Sequence, residues 1–145
     1  LWGMLALAYG QQSQQSRQQD FERLQAHAQS AADRALALDP DNPEAQVVRI
    51  FRDRMGGRRA QASRALDALI RRHPESPPVN RAYGYLLAQT GRNREALPRM
   101  AFAVAREPDS PQDTYALAQM YWTLNRLEEA EAVYDRAFAQ WPRHY

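Results

Sequence analysis

The sequence predicts an all-α protein, a solenoid of about four stacked helix–turn–helix units. Three observations support this fold class. A motif of proline, acid, Asn or Ser, and proline recurs every 34 residues, beginning at Pro40, Pro74 and Pro108. The stretches between the motifs carry apolar residues at helical spacing, and small residues recur at fixed positions within them. A fixed period of this length is typical of stacked helical repeats.

The recurring motif predicts the end of one helix and the start of the next. Its first proline cannot continue a helix and disfavours helix at the residue before it. The Asn or Ser can accept a hydrogen bond from the first amides of the next helix. The second proline then occupies the first helical position, where its missing N–H costs nothing. A further copy begins at Pro142, so we expect this chain to be a fragment of a longer protein.

Between the motifs, each block predicts two amphipathic helices. In the last block the first helix runs from about Pro111 to Leu124, and the second from about Leu127 to Gln140. Apolar residues three and four positions apart form one helical face, which a strand would not produce. The predicted organisation is a single domain of residues 1–145, with repeats at about 1–42, 43–76, 77–110 and 111–144.

Small residues recur where the two helices of a pair must approach closely. Gly84 and Ala118 lie on first helices, and Ala96 and Ala130 lie on second helices. With the 34-residue period and the junction at residues 38–45, this pattern resembles the tetratricopeptide repeat. The resemblance covers the whole chain. It implies a right-handed superhelix whose concave surface binds proteins without catalysis.

The first block departs from the pattern by a Gln-rich insertion at residues 11–20. Such a polar stretch cannot bury itself, so we expect a mobile surface loop or, in part, an extension of the second helix.

The second block lacks the large apolar residues expected on its first helix, and two interpretations remain open. In one, the helix is rotated and its buried stripe consists of Val47, Ile50, Phe51 and Met55. In the other, Arg49 and Asp53 form a partly buried ion pair, and removing one partner would strand the other charge.

Composition limits the chemistry available to the chain. It contains no Cys, which excludes disulfides, thiolate catalysis and Cys-bound zinc. His27, His73 and His144 are scattered without metal-ligand spacing. We therefore predict no enzyme activity, no metal and no cofactor. No apolar run reaches the ~20 residues of a membrane helix, which predicts a soluble fragment of the bacterial cytoplasm or periplasm.

Charge is unevenly distributed along the sequence. All 19 basic residues are Arg, and abundant Arg and Ala are typical of GC-rich bacterial genomes. Residues 49–99 are strongly basic, whereas both ends are acidic, and the net charge is +2. Near-neutral overall charge and the lack of a nucleic-acid motif argue against nucleic acid as a partner.

The resemblance implies that the first helix of every repeat lines the concave groove. Carrying the family's groove positions onto this sequence gives the candidate partner-binding residues Val47, Phe51, Arg54, Arg81, Tyr85, Gln89, Tyr115, Gln119 and Trp122. Aromatic and Arg side chains commonly anchor protein interfaces. The predicted partner is a protein or peptide segment whose acidic groups would meet Arg54 and Arg81.

The alternative function is that of a regulatory or self-association segment of a larger bacterial regulator or enzyme. The last helix is expected to expose Val133, Phe138 and Trp141. Exposed apolar surface of this kind calls for a cover, and a second copy could supply it. This alternative predicts a homo-oligomer formed through the C-terminal helix.

Overall fold

The computed structural model describes residues 1–14 and 18–142, and within them it consists of eight α-helices without a strand. The helices are α1 (Trp2–Gln14), α2 (Gln18–Leu38), α3 (Pro43–Met55), α4 (Arg59–Arg72), α5 (Pro77–Gln89), α6 (Asn93–Arg106), α7 (Pro111–Thr123) and α8 (Leu127–Gln140). The all-α helical-repeat fold expected from the sequence is confirmed. No helix of the described part is long and apolar enough to cross a membrane.

The Pro-acid-Asn/Ser-Pro motif ends one helix pair and starts the next. Asn42 Oδ1 accepts a hydrogen bond from the Ala45 amide at 3.0 Å, and Ser110 Oγ accepts one from the Asp113 amide at 3.2 Å. The second proline of each motif begins α3, α5 or α7. The motif therefore satisfies amides that the first turn of a helix leaves without an intrahelical partner.

A buried polar residue fastens the start of each of these three helices to the preceding junction. Gln46 Nε2 donates to the Pro40 carbonyl at 3.0 Å, and Asn80 Nδ2 donates to the Pro74 carbonyl at 2.7 Å. Thr114 Oγ1 donates to the Ser110 carbonyl at 3.0 Å. The three residues are spaced by 34, and all are buried. Because a buried polar group is costly without a partner, these hydrogen bonds explain why polar side chains are tolerated here.

The helices belong to two compact units, Leu1–His73 and Pro74–Tyr145, called unit 1 and unit 2 below. One core cluster of unit 1 joins α1, α2 and α3 through small residues. Its members are Ala6, Ala28, Ala31, Ala32, Ala35, Ala45 and Val48. Gly3 approaches the junction so closely that an added Cβ would lie 2.3 Å from Asn42 Oδ1. The short side chains allow the helix backbones of unit 1 to pack closely.

The Gln-rich insertion is largely helical. Residues 11–14 extend α1, and residues 18–20 begin α2, while 15–17 lie outside the described residues. Ser13 is buried, and its Oγ accepts a hydrogen bond from Gln25 Nε2 at 2.6 Å. The expected surface loop is therefore wrong for the described part of the insertion. The alternative, extension of the second helix, is confirmed for residues 18–20, which form the first turn of α2.

Helix α3 agrees with the rotated-helix interpretation only in part, because Ile50 is buried as predicted. Ala45, Gln46, Val48 and Ile50 are its buried residues, whereas Met55 is 61% exposed. The predicted stripe is therefore wrong at Met55. The Arg49–Asp53 pair is wrong as well, because Arg49 is exposed and the Asp53 carboxylate accepts from Arg58. Ala45 and Val48 pack in the alanine-rich cluster with α1 and α2, which sets the buried face of α3.

The core of unit 2 is built from larger side chains on α5, α6, α7 and α8. Its buried members are Leu87, Ala96, Leu97, Met100, Leu117, Ala118, Met120 and Val133. Gly84 lies where α5 meets α6, and a Cβ added there would be 3.3 Å from the Met100 amide nitrogen. The predicted role of small residues at Gly84, Ala96, Ala118 and Ala130 is consistent with their complete or near-complete burial.

Candidate partner-binding cleft

Three of the sequence-predicted groove residues lie on α3 in unit 1. Val47, Phe51 and Arg54 are all partly buried. The Arg54 guanidinium carbon is 5.6 Å from the centre of the Phe51 ring, within range of a cation–π interaction. Unit 1 thus presents an aromatic ring and a cation side by side on this helix.

Two further predicted residues, Arg81 and Tyr85 on α5, are engaged within unit 2. Arg81 Nε lies 2.8 Å from Asp113 Oδ2, and its Nη2 contacts the Glu107 carboxylate. The Tyr85 hydroxyl donates to Asp113 Oδ1 at 2.8 Å. Only 11% of the Arg81 side chain and 6% of the Asp113 side chain are exposed. These contacts form a polar network that joins α5 to the first turn of α7.

The network changes the chemistry of Tyr85. Burial, followed by the charge of Asp113 and the hydrogen bond to it, raises the pKa of the Tyr85 phenol far above its usual range. The hydroxyl therefore remains a donor to the carboxylate at physiological pH. Sequence reasoning did not identify Asp113 as the partner of Arg81 and Tyr85.

The remaining predicted residues are Gln89, which lies at the end of α5, and Tyr115, Gln119 and Trp122, which lie on α7 and are exposed. Gln119 Nε2 donates to the Tyr115 hydroxyl at 3.1 Å. Trp122 is 65% exposed, which is unusual for the largest apolar side chain.

Tyr115 and Trp122 form one side of a cleft of about 510 Å³ between α7 and α8. Its lining residues are Tyr115, Trp122, Leu127, Ala130, Glu131, Tyr134 and Phe138. The Tyr115 and Tyr134 rings meet edge to face, with centroids 6.0 Å apart. Aromatic surface therefore dominates the cleft, and one carboxylate lies in its wall.

The sequence predicted exposed apolar residues on α8, and this prediction is only partly right. Phe138 is 50% exposed, in agreement with the sequence prediction. The prediction for Val133 is wrong, because Val133 is buried in the unit 2 core, and Trp141 is partly buried. The 34-residue period could have identified Glu131 and Tyr134, since the equivalent residues Leu97 and Met100 lie in the unit 2 core with residues of α7.

The preceding repeat shows what lies at the equivalent surface. Subtracting 34 from each lining residue gives Arg81, Ala88, Asn93, Ala96, Leu97, Met100 and Val104. Ala88, Ala96, Leu97, Met100 and Val104 belong to or pack against the unit 2 core, together with Leu117 and Met120 of α7. Arg81 pairs with Asp113 at the start of α7. Helix α7 thus covers on the third repeat the surface whose equivalent on the fourth repeat is the cleft between α7 and α8.

The cleft offers binding surface, with apolar and aromatic groups that can receive the side chains of a helix. Among the described residues, no group of three or more His, Asp or Glu side chains could hold a metal ion. Glu131 is the single titratable acid in the cleft lining, and Tyr115 and Tyr134 contribute phenols beside it.

Comparison with solved structures identifies similar folds. MamA AMB-1 is 24% identical with a TM-score of 0.54, over 77% of this chain and 66% of that chain. The thermophilic TPR protein TTC0263 of Thermus thermophilus is 28% identical with a TM-score of 0.54, over 85% of this chain and 72% of that one. A tetratricopeptide repeat protein of Parabacteroides merdae is 15% identical with a TM-score of 0.62, over 97% of this chain and 55% of that one.

The chain spans 66% and 61% of the first two MamA structures, so it corresponds to part of their length. No curated protein matches the sequence. The tetratricopeptide repeat family model matches residues 56–97 and 84–144, which together cover more than half of the chain. With the helix pairs, the junctions and the 34-residue period, this match shows that the chain belongs to the tetratricopeptide repeat family.

Proposed function

We propose that the chain is a non-catalytic protein-interaction scaffold that holds a helical segment of a partner protein in the cleft between α7 and α8. Membership of the tetratricopeptide repeat family supports a scaffold role in general. The cleft supports the more specific proposal that the bound segment is a helix. The equivalent surface on the third repeat packs against α7, so the dimensions of the cleft suit a helix.

The composition of the cleft favours binding. Tyr115, Trp122, Tyr134 and Phe138 supply large, stiff side chains, and such aromatic groups often contribute most of the energy of an interface. Covering the exposed parts of Trp122 and Phe138 would remove apolar surface from water, which is the main driving force of association. A helix that presents three or four apolar residues on one face satisfies this requirement.

The other predicted residues have different parts in this proposal. Arg81 and Tyr85 support the cleft indirectly, because they hold the first turn of α7 through Asp113. Val47, Phe51 and Arg54 on α3, together with Gln89 and Gln119, are proposed as further partner contacts. That acidic groups of the partner meet Arg54 or Arg81 remains a prediction.

Binding of a helix-stabilised peptide of residues 111–124 tests the proposal. This segment contains α7, which occupies the equivalent surface on the third repeat. We expect the fluorescently labelled peptide to bind the whole chain, and Trp122→Ala or Phe138→Ala to weaken binding at least about tenfold.

The matched control is Gln112→Ala, because Gln112 is exposed on α7 but does not line the cleft. Circular dichroism would verify that each variant keeps its helix content. Peptide binding that is unaffected by both cleft substitutions would show that the cleft is not the binding site.

Self-association is the second candidate function. Besides the cleft residues, Met4 and Leu5 on α1 are exposed apolar side chains that a second copy could cover. This candidate includes the regulatory segment of a larger bacterial regulator or enzyme. Sedimentation velocity should then detect concentration-dependent oligomers that Phe138→Ala abolishes, and a strict monomer at high concentration would exclude it.

A further inference from the structure

We infer that the turn between α3 and α4 is a second binding surface, and that it takes an acidic segment of a partner protein with carboxylates on either side of an apolar residue. The surface, called the basic turn below, consists of Arg49, Arg52, Met55, Arg58 and Arg59, all of them exposed. The inference rests on the scaffold role proposed above, but it does not depend on the cleft between α7 and α8.

The five residues of the basic turn follow one another along α3 and into α4. Arg49, Arg52 and Met55 are spaced by three residues on α3, which makes consecutive members neighbours on the helix surface. A turn of two glycines separates them from Arg58 and Arg59 at the start of α4. Met55, which is 61% exposed, thus lies between arginines that precede it and arginines that follow it.

The arginines of the basic turn outnumber the acids available to them. Asp53 is the single acid between residues 49 and 59, and its Oδ1 accepts from Arg58 Nη2 at 2.5 Å. Arg52 Nε is 3.9 Å from the same oxygen. Within the described part of the chain, Arg49 and Arg59 form no ion pair. One carboxylate is therefore present for four guanidinium groups, and the surface attracts further negative charge.

In the third and fourth repeats, the arginine just before the second helix binds a carboxylate of its own repeat. Arg92 donates through Nε and Nη2 to Glu95, and Arg126 donates through the same atoms to Glu129, at 2.6 Å to 2.9 Å. These hydrogen bonds lower the pKa of both carboxyls. The equivalent residue in the second repeat is Gln61, and the first turn of α4 contains no acid. A carboxylate from a partner would restore the arrangement of the other two repeats.

Other residues of the basic turn are not explained by packing. At the positions of Arg49 and Arg52, the fourth repeat has Leu117 and Met120, both buried in the unit 2 core. At the position of Met55, the third and fourth repeats have Gln and Thr, both exposed. The second repeat thus has charge where the fourth is apolar, and an exposed apolar side chain where both are polar. Contact with a partner explains both differences.

The chemistry of the basic turn favours a protein segment over other anions. Arg binds carboxylates through pairs of parallel hydrogen bonds, and Met adapts to apolar side chains of different shapes. Nucleotide bases need open aromatic faces for stacking, whereas the nearby Phe51 ring is covered by the Arg54 guanidinium, 5.6 Å from its centre. A single exposed Met offers too little apolar surface for insertion into a membrane.

Binding of a fluorescently labelled acidic peptide to the whole chain tests the inference. The probe has the core Glu-Glu-Leu-Glu-Glu between glycines, and its control carries Gln in place of every Glu. We expect saturable binding of the acidic peptide in fluorescence anisotropy, at least about tenfold tighter than binding of the neutral peptide, and an affinity that falls with salt. Replacing the Leu of the probe by Gly should weaken binding about threefold.

Variants of the chain locate the binding site. Arg52→Gln and Arg59→Gln should each weaken binding by about three- to tenfold, because each removes charge-assisted donors. Gln61→Glu should weaken it by a similar factor, because it supplies the carboxylate from within the repeat. Met55→Ser should abolish the advantage of Leu over Gly in the probe. Arg71→Gln is the matched control: it removes one charge from an exposed site at the other end of α4 and should leave binding unchanged.

Circular dichroism would verify that every variant keeps its helix content. Absence of acidic-peptide binding, equal binding of the acidic and neutral peptides, or equal losses in Arg59→Gln and Arg71→Gln would overturn the acidic-segment site. Oligodeoxythymidylate or phosphatidylserine vesicles that bind more tightly than the peptide, with the same dependence on Arg52 and Arg59, would overturn the protein partner.

The cleft is tested separately. Trp122→Ala should leave binding of the acidic peptide unchanged, since Trp122 lies on α7 in unit 2. If the acidic peptide fails to bind while the helical peptide of residues 111–124 binds, the basic turn is excluded and the proposed use of the cleft stands. The opposite result would exclude the cleft and support the basic turn.

Discussion

The α1–α3 seam of unit 1 and the core of unit 2 bring their helices together by different means. In unit 1, α1, α2 and α3 meet through a seam of alanines, and Gly3 lies against Asn42. In unit 2, Leu and Met side chains fill the space between the helices, and the Asp113 network adds buried polar contacts. Close backbone approach leaves no room for larger side chains, whereas a core of large side chains depends on each of them to fill its volume.

The ionic contacts that join helices or junctions in the two units differ in how far they are exposed to solvent. In unit 1, Arg72 contacts Asp41 and Gln46 near the junction, where the Arg72 and Asp41 side chains are about half exposed. Such exposed pairs contribute little and are screened by salt. In unit 2, Arg81, Tyr85 and Asp113 are largely shielded from solvent. The comparison predicts that the unit 2 core is sensitive to loss of side-chain groups and the α1–α3 seam of unit 1 to their addition.

The largest effect is expected from truncating the unit 2 core. Met100 is fully buried, so Met100→Ala should leave a cavity and lower the free energy of unfolding by about 2–5 kcal/mol. Urea denaturation measures this change. Met55→Ala makes the same chemical change at an exposed site of unit 1 and should alter stability by less than about 0.5 kcal/mol. Similar losses in the two variants would contradict the assignment of Met100 to the core.

Enlarging the alanine seam should have the next largest effect. Ala32 is fully buried between the helices of unit 1, so Ala32→Leu should force them apart and destabilise the protein by about 1–3 kcal/mol. Ala37→Leu on the exposed side of α2 is the control and should be nearly neutral. If Ala32→Leu stabilised the chain in thermal unfolding, the seam would contain unfilled volume and the contrast between the units would fail.

The smallest expected change in stability comes from the polar network of unit 2, and this change depends on pH. Tyr85→Phe removes the hydroxyl that donates to Asp113 and should cost about 1–2 kcal/mol at neutral pH. The pKa of Tyr85 is raised by burial and by Asp113, so the folded phenol keeps its proton when the unfolded phenol loses it near about pH 10. Its stabilising contribution is therefore complete below that pH and declines as the pH rises further.

Comparing denaturation of the natural chain and the Tyr85→Phe variant between about pH 8 and 11 isolates this contribution, because the two proteins differ in no other ionisable group. The stability difference should shrink toward the alkaline end. A difference that stays constant with pH would mean that the phenol is not linked to folding.

Much of the fold followed from the sequence alone. The helix pairs and the Asn42 and Ser110 caps are visible in the 34-residue period, because prolines and capping residues act on their immediate neighbours. The sequence also indicated Tyr115 and Trp122 as exposed aromatics, and both lie in the cleft. It did not indicate the buried hydrogen bonds of Gln46 and Asn80, since a polar residue becomes acceptable only when a specific carbonyl lies beside it.

The chain's own residues determined the all-α repeat, its pitch and its helix boundaries, because these depend on interactions within a few residues of each other. Tertiary packing decided which face of α3 is buried, that much of the Gln-rich insertion extends helices, and that Arg81 and Tyr85 contact Asp113. It also decided that residues of α7 and α8, Glu131 among them, line one cleft. These features join residues far apart in sequence, and periodicity does not indicate which side chains a neighbouring helix will cover.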